Sequence, residues 1–254
     1  MNNSMQRIWT RLGGLLLLVA LLTACGANPP IHDNAPEPVY SHARLVPDDV
    51  DDPQTRVYDP WEGMNRRIYN FNYHFDQNVF LPVVRGYKWI TPDVAEKWIS
   101  NFFNNIRDIR TLVHSILQLS PSKTAQSTGR VMVNSTVGLL GLIDVATTMG
   151  IPRPAEDFGQ TLGHYGVGPG PYLVVPFLGP SNLRDGVGLM ADSYATSLLY
   201  DEFMSTEARY GVQLLDAIDT RANVSFRYFE TGSAFEYDTV RWLISTKREL
   251  DVAK

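Results

Sequence analysis

Few side chains in this sequence have the reactivity to carry chemistry: one thiol, five imidazoles and a scatter of carboxylates and serines. The thiol is the most informative. Cys25 closes Leu22-Thr23-Ala24-Cys25, directly after an apolar run over residues 12–22 that follows Arg7 and Arg11. Charged, apolar and small-residue regions in that order form an export signal, and the run falls short of the roughly 20 residues a spanning helix needs. At the end of such a box the thiol accepts a diacylglyceryl group. Residues 1–24 are therefore expected to be removed, leaving a lipoprotein with glyceryl and palmitate-type chains on Cys25. Several acyl chains at about 0.8 kcal/mol per buried methylene make a durable anchor. A lipidated Cys25 also leaves the mature chain without a thiol for disulfides, catalysis or metal binding, because the sequence holds no other cysteine.

The remaining groups give no catalytic constellation. A serine esterase would need a Gly-x-Ser-x-Gly elbow, and the sequence has none. His32, His42, His74, His114 and His164 show no metal-ligand spacing such as His-Glu-x-x-His. His114 reads as a packed histidine, and His164 lies in a glycine-rich segment without an evident partner. Gly166-Val167-Gly168-Pro169-Gly170 resembles part of a dinucleotide loop but lacks the strand–helix setting that motif requires. Glu156, Asp157, Asp185 and Asp192 read as helix caps and partners of Arg184 or Arg153. The expectation is no catalytic residue, no metal and no cofactor. A net charge of −5 without a basic patch argues against nucleic acid and against electrostatic attraction to anionic lipid.

The elements that would position any site are mostly helices. Residues 25–58 read as a tether: Pro29, Pro30, Pro36, Pro38, Pro47 and Pro53 with Asp48, Asp49, Asp51 and Asp52 cannot bury enough apolar surface to offset ordering. Met64, Ile68, Phe71, Phe75 and Val79 draw one apolar stripe, expected to end at Pro82. Thr91-Pro92 starts a long helix striped by Val94, Trp98, Phe102, Ile106, Ile109, Val113 and Ile116. Its opposite face carries Glu96, Lys97, Asn101, Asn104, Asn105 and Asp108. Further helices are expected over about 122–133, from 181 to about 200, over a stripe from Tyr210 to Phe229, and over about 235–250. Between them, Gly159, Gly163, Gly166, Gly168 and Gly170 break the periodicity, and a Gly163–Pro176 segment reads as a mobile hairpin. The aromatic stripes admit two readings. They pack into a core, or they lie in a lipid interface while the Asn-rich faces line something wet.

Three ordered motifs resemble one family. Asp59-Pro60-Trp61-Glu62-Gly63-Met64-Asn65-Arg66-Arg67 with Tyr69-Asn70-Phe71-Asn72 is similar to the opening signature of the MlaA (VacJ) outer-membrane lipoproteins. So are Asn134-Ser135-Thr136-Val137-Gly138 with Gly141-Leu142-Ile143-Asp144-Val145-Ala146, and Phe158-Gly159-Gln160-Thr161-Leu162-Gly163 running through Tyr165-Gly166-Val167-Gly168, Gly170-Pro171-Tyr172, Pro176, Gly179-Pro180 and Leu183-Arg184-Asp185. The resemblance covers residues 59–250. It implies a mainly α fold, a ring-like bundle of amphipathic helices with a Gly/Pro-rich hairpin insertion. It also implies a membrane-associated, non-enzymatic protein in the periplasmic leaflet of the outer membrane, where Gly26 after the cysteine also directs enterobacterial lipoproteins. Such a protein would bind a porin trimer, remove mislocalised phospholipid from the outer leaflet and pass it to a soluble periplasmic lipid carrier. Gly163, Tyr165, Gly166, Gly168, Gly170, Pro171, Tyr172 and Pro176 would then form the channel rim. A phospholipase and a purely structural porin-associated lipoprotein are the alternatives.

Overall fold

The computed structural model describes residues 57–230 and 235–254; the export signal, Cys25 and nearly all of the tether lie outside them. The described chain is mainly helical. α1 (Glu62–Phe75) carries Glu62 in its first turn, where a carboxylate suits the helix dipole. It does not stop at Pro82. A single π turn over Asp76–Phe80 leads into α2 (Leu81–Ile90), with Pro82 in the first turn of that helix. Proline lacks the N–H to continue an α-helical ladder, and the widened turn before it lets the helix run on.

Thr91 ends α2 and Pro92 caps the 25-residue α3 (Asp93–Leu117). α4 (Pro121–Thr136) begins with proline where no N–H is needed. A tight loop then leads to α5 (Val145–Thr148), capped by the Asp144 carboxylate, and later to α6 (Phe158–His164), capped by Asp157. β1 (Tyr172–Val175) and β2 (Gly179–Asn182) pair antiparallel, Tyr172 opposite Asn182 and Val175 opposite Gly179. The Asn182 side chain caps α7 (Leu183–Phe203), Ser205 caps α8 (Thr206–Asn223), and α9 (Glu236–Ala253) closes the described chain. α8 ends before Phe226 and Phe229, which were expected on its stripe; Phe229 instead packs edge-on against Tyr69 and Tyr73 of α1.

The hairpin is Tyr172–Asn182, not Gly163–Pro176. Gly163 lies in α6, where a Cβ would come within 2.7 Å of Val252, so its lack of a side chain permits close approach of α9. Gly166 and Gly170, with φ of +88° and +69°, turn the connection between α6 and β1.

The helical faces are inverted relative to a water-soluble bundle. On α1 the buried residues are Asn65, Tyr69 and Asn72, while Met64 and Phe71 are exposed. On α3 the buried residues include Asn105, Asp108, Thr111, His114 and Ser115, while Val94, Trp98, Ile109, Val113 and Ile116 face outward. α7 repeats this with exposed Leu183, Val187, Met190, Tyr194 and Leu198. The largest fully buried side chains include Arg130, Glu236, Asp108, Asp219 and Asp238. A small apolar core joins α1, β1 and α9 through Tyr69, Tyr172, Val174, Tyr237 and Val240. No described helix is long and apolar enough to cross a membrane.

Candidate functional site

Buried charge is costly unless it is paired and hydrogen-bonded, and most of the inward-facing charged residues meet that condition, the Nε of Arg110 being an exception. Arg130, 1% exposed, donates to Asp108, to both oxygens of Asp144, to Thr147 and to the Ile151 carbonyl. Arg153 takes the other oxygen of Asp108 at 2.7 Å. Asn101 donates to the Leu142 carbonyl and Asn105 to Ser135. Two asparagines of this α3 face thus brace the end of α4 and the α4–α5 loop, and none of Asn101, Asn104 and Asn105 lines the cavity described below. That loop needs the support: Leu139 and Leu140 both sit at positive φ, and a Cβ on Gly141 would approach Asn105 to 2.5 Å.

The opening motif of the domain is a docking device. Asp59 accepts from Asn65 at 2.7 Å, from Tyr237 at 2.5 Å and from Arg241 at 3.2 Å. Glu62 pairs with Arg66, which also binds Asp238 and lies over the Tyr237 ring. Two turns apart on α1, Asn65 and Asn72 each offer a carboxamide to the hairpin. Asn65 donates to the Tyr172 carbonyl and accepts from Val174 N–H; Asn72 donates to the Val175 carbonyl and accepts from Phe177 N–H. Pro60 precedes this helix. Asn70 is exposed, and Phe71 meets Phe177 edge-on.

The carboxylates expected as caps and ion pairs are such, but of the two arginines read from sequence only Arg184 joins them, since Arg153 pairs with Asp108 instead. Asp185 pairs with Arg184 at 2.9 Å and with Arg248 at 2.6 Å, and Arg248 also binds Asp157. Burial alone would raise the Asp157 carboxyl, but the Arg248 guanidinium and the Gln160 N–H hold it at about 2. Glu156 pairs with Lys123 and accepts from Gln118. Asp192, His114 and Thr161 line up at 2.8 and 3.1 Å, an arrangement reminiscent of a hydrolase triad. All three are buried, and the Thr161 hydroxyl is also held by the Asp157 carbonyl and Gln118. The hydroxyl is thus enclosed by protein groups, with Thr161 only 4% exposed. His164 is exposed, with its ring against Tyr165. Among the described residues no cluster of three or more His, Cys, Asp or Glu is placed to hold a metal.

The main concavity lies elsewhere. A cavity of about 660 Å³ opens between the end of α1 with its π turn, α3, the hairpin turn, α7, α8 and the segment after α8. Phe75, Phe80, Phe103, Phe177 and Phe226 give it an aromatic wall. Asn72, Ser193, Thr196, Gln213 and Thr220, with Asp76, Asp216, Arg107, Arg110 and Arg221, give it a polar one. Arg221 grips Asp76 with two bonds of 2.6 and 2.7 Å. Arg107 binds Asp216 and Thr220. Burial raises the Asp216 carboxyl above its ordinary value, with Arg107 opposing.

Of the residues expected at a channel rim, Gly163, Tyr165, Gly166, Gly168, Gly170, Pro171, Tyr172 and Pro176 are all absent from the cavity lining; the turn and strand that follow, Phe177, Leu178 and Pro180, reach it instead. Gly170 and Tyr172 border a second cavity of about 380 Å³ beside α9. The cavity residues Asp76, Arg107, Arg110, Asp216 and Arg221 escaped the sequence reading. One signal was present: Phe103, Ile106 and Arg110 share a helical face, so a guanidinium interrupts an apolar stripe.

The family model described as MlaA lipoprotein matches residues 57–251. An uncharacterised protein of Rickettsia felis is 37% identical over 199 residues, covering 77% of this chain and 78% of its own. The intermembrane phospholipid transport system lipoprotein MlaA of Escherichia coli is 36% identical over 173 residues, covering 65% and 66% respectively. A solved structure presented as the structural basis for maintenance of bacterial outer membrane lipid asymmetry superposes with a TM-score of 0.64 at 31% identity. It covers 76% of this chain and 98% of its own.

Proposed function

The chain belongs to the MlaA lipoprotein family, and on that premise we propose that it clears phospholipid from the outer leaflet of the outer membrane without chemically altering it. The observation that carries this reading is the pairing of outward apolar faces with an inward amphipathic cavity. A phospholipid needs a polar path for its headgroup and an apolar one for its chains. Phenylalanines together with arginines, carboxylates and hydroxyls in the same lining supply both. The exposed stripes of α1, α3 and α7 would make van der Waals contact with acyl chains, as interfacial amphipathic helices do.

On this reading Cys25 carries the lipid anchor, the body lies in the periplasmic leaflet, and a porin trimer is its neighbour. Extracted lipid passes to a soluble periplasmic carrier. The hairpin turn, through Phe177 and Leu178, forms part of the path, and Gly166 and Gly170 set the course of the chain leading into it. The phospholipase alternative draws its one support from the Asp192–His114–Thr161 alignment, and the closed burial of Thr161 speaks against it. The test is outer-leaflet phospholipid, read with a membrane-impermeant amine-reactive label, in cells lacking the gene and in cells complemented with it. Labelling should rise on deletion and return to the parental level on complementation. Equal labelling in both would refute the role.

A further inference from the structure

Three guanidiniums reach the main cavity, against two carboxylates. Arg221 is committed to Asp76, and Arg107 to Asp216 and Thr220. Arg110 is left over. It lines the cavity, no hydrogen bond or ion pair engages it, and its Nε is shut off from solvent without a partner. The guanidinium is partly open to the cavity and is drawn to Asp216 only through space, while its shielded Nε loses hydration without gaining an acceptor. Such a group is matched by an anion that enters from the cavity.

We propose that Arg110 is the headgroup contact of this cavity, its guanidinium binding the phosphodiester of a glycerophospholipid whose chains lie along the phenylalanine wall. This rests on the reading of the cavity as a lipid path. The shared chemistry is an oxyanion, which a planar guanidinium grips with two parallel N–H bonds. A free phosphate would satisfy Arg110 but leave the cavity-facing surface of the Phe75, Phe80 and Phe177 cluster in water. A phospholipid satisfies both walls at once. The position on α3 supports the assignment: Arg110 follows Phe103 and Ile106 on one face, so the charge sits at the border of an apolar surface.

The test uses the purified lipidated protein in detergent, with a fluorescent phosphatidylglycerol as the probe. Arg110→Gln should weaken binding roughly tenfold or more, the order expected for a charged hydrogen-bonded contact. Arg110→Lys should recover part of the loss, since lysine keeps the charge but not the two-pronged geometry. Diacylglycerol with the same chains should bind wild type and Arg110→Gln alike. Millimolar inorganic phosphate should not displace the lipid. The thermal midpoint should be unchanged in Arg110→Gln, because the side chain makes no bond within the protein. Equal phosphatidylglycerol affinity in wild type and Arg110→Gln overturns the proposal and leaves the lipid-path reading standing. Failure of the wild type to bind any phospholipid overturns both. Inorganic phosphate binding as tightly as the lipid overturns the lipid as the source of the anion.

Discussion

Asn72→Ala isolates the device that docks the hairpin on α1. The carboxamide accepts from Phe177 N–H at 2.7 Å and donates to the Val175 carbonyl at 3.0 Å. Alanine removes both bonds and leaves two backbone groups. The Val175 carbonyl keeps a second donor, Leu178 N–H at 3.2 Å, so its loss is small. Phe177 N–H has no second acceptor to turn to within the structure. An unpaired buried donor costs about 1–3 kcal/mol, but Phe177 is 56% exposed and its freed N–H can take water, which places the loss at the low end, about 1 kcal/mol. That corresponds to roughly fivefold faster opening. Amide hydrogen exchange reads this directly: Phe177 should exchange roughly fivefold faster in the variant, while amides in the middle of α3 keep their wild-type rates. An unchanged Phe177 rate would refute the docking argument. Equal acceleration throughout α3 would refute it too, because the asparagine would then act on global stability and not on the hairpin.

Cys25→Ala should abolish labelling by radioactive palmitate and release the protein from the outer-membrane fraction; membrane retention with no label gained would contradict the anchor. Acid should destabilise the fold through Asp157. Its folded-state value of about 2 lies below the ordinary 3.8, so its contribution, about 2 kcal/mol, is full above about pH 4 and lost as pH falls towards 2. Arg248→Met should flatten that part of the stability-versus-pH curve, measured by denaturant midpoints. Gly188→Ala should destabilise by about 1–3 kcal/mol or block folding, since its Cβ would lie 2.5 Å from the Gly159 backbone nitrogen. Gly186→Ala, where the nearest atom is 3.8 Å away, should be tolerated in the same melting assay. Purified protein incubated with phospholipid vesicles should release no fatty acid or headgroup above background; turnover abolished by Thr161→Val would restore the phospholipase alternative.

Helices were legible from periodicity and caps at Thr91-Pro92 before α3 and Ser120-Pro121 before α4, whereas Pro180-Ser181, read as the opening of α7, lies in β2, and Asn182 caps that helix. The direction of their faces was not. A stripe such as Val94, Trp98, Ile109 and Val113 fixes which residues share a side, and period alone carries no sign for inside and outside. The answer depends on the medium, which the stripe does not state. Pro82 misled because proline is tolerated in the first turn of a helix, and the π turn before it has no sequence signature. Asn65 and Asn72 read as polar-face residues of α1, yet their partners lie more than 100 positions away in sequence. The same distance hides the pairing of Asp76 with Arg221 and of Asp157 with Arg248. The family resemblance singled out Asn65 and Asn72, but not Asp76, Arg221, Asp157 or Arg248.

A two-stranded hairpin ordinarily exposes a row of unsatisfied backbone groups that can template pairing with another molecule. In this fold the edge of β1 that faces α1 is already spoken for. Tyr172 N–H binds the Tyr58 carbonyl, the Tyr172 carbonyl and Val174 N–H bind Asn65, and Phe177 N–H binds Asn72. A helix here stands in for a third strand, with side-chain amides at a seven-residue spacing in place of a peptide ladder. Asn65 and Asn72 therefore occupy backbone groups on this side of the hairpin that would otherwise be free to pair with another strand.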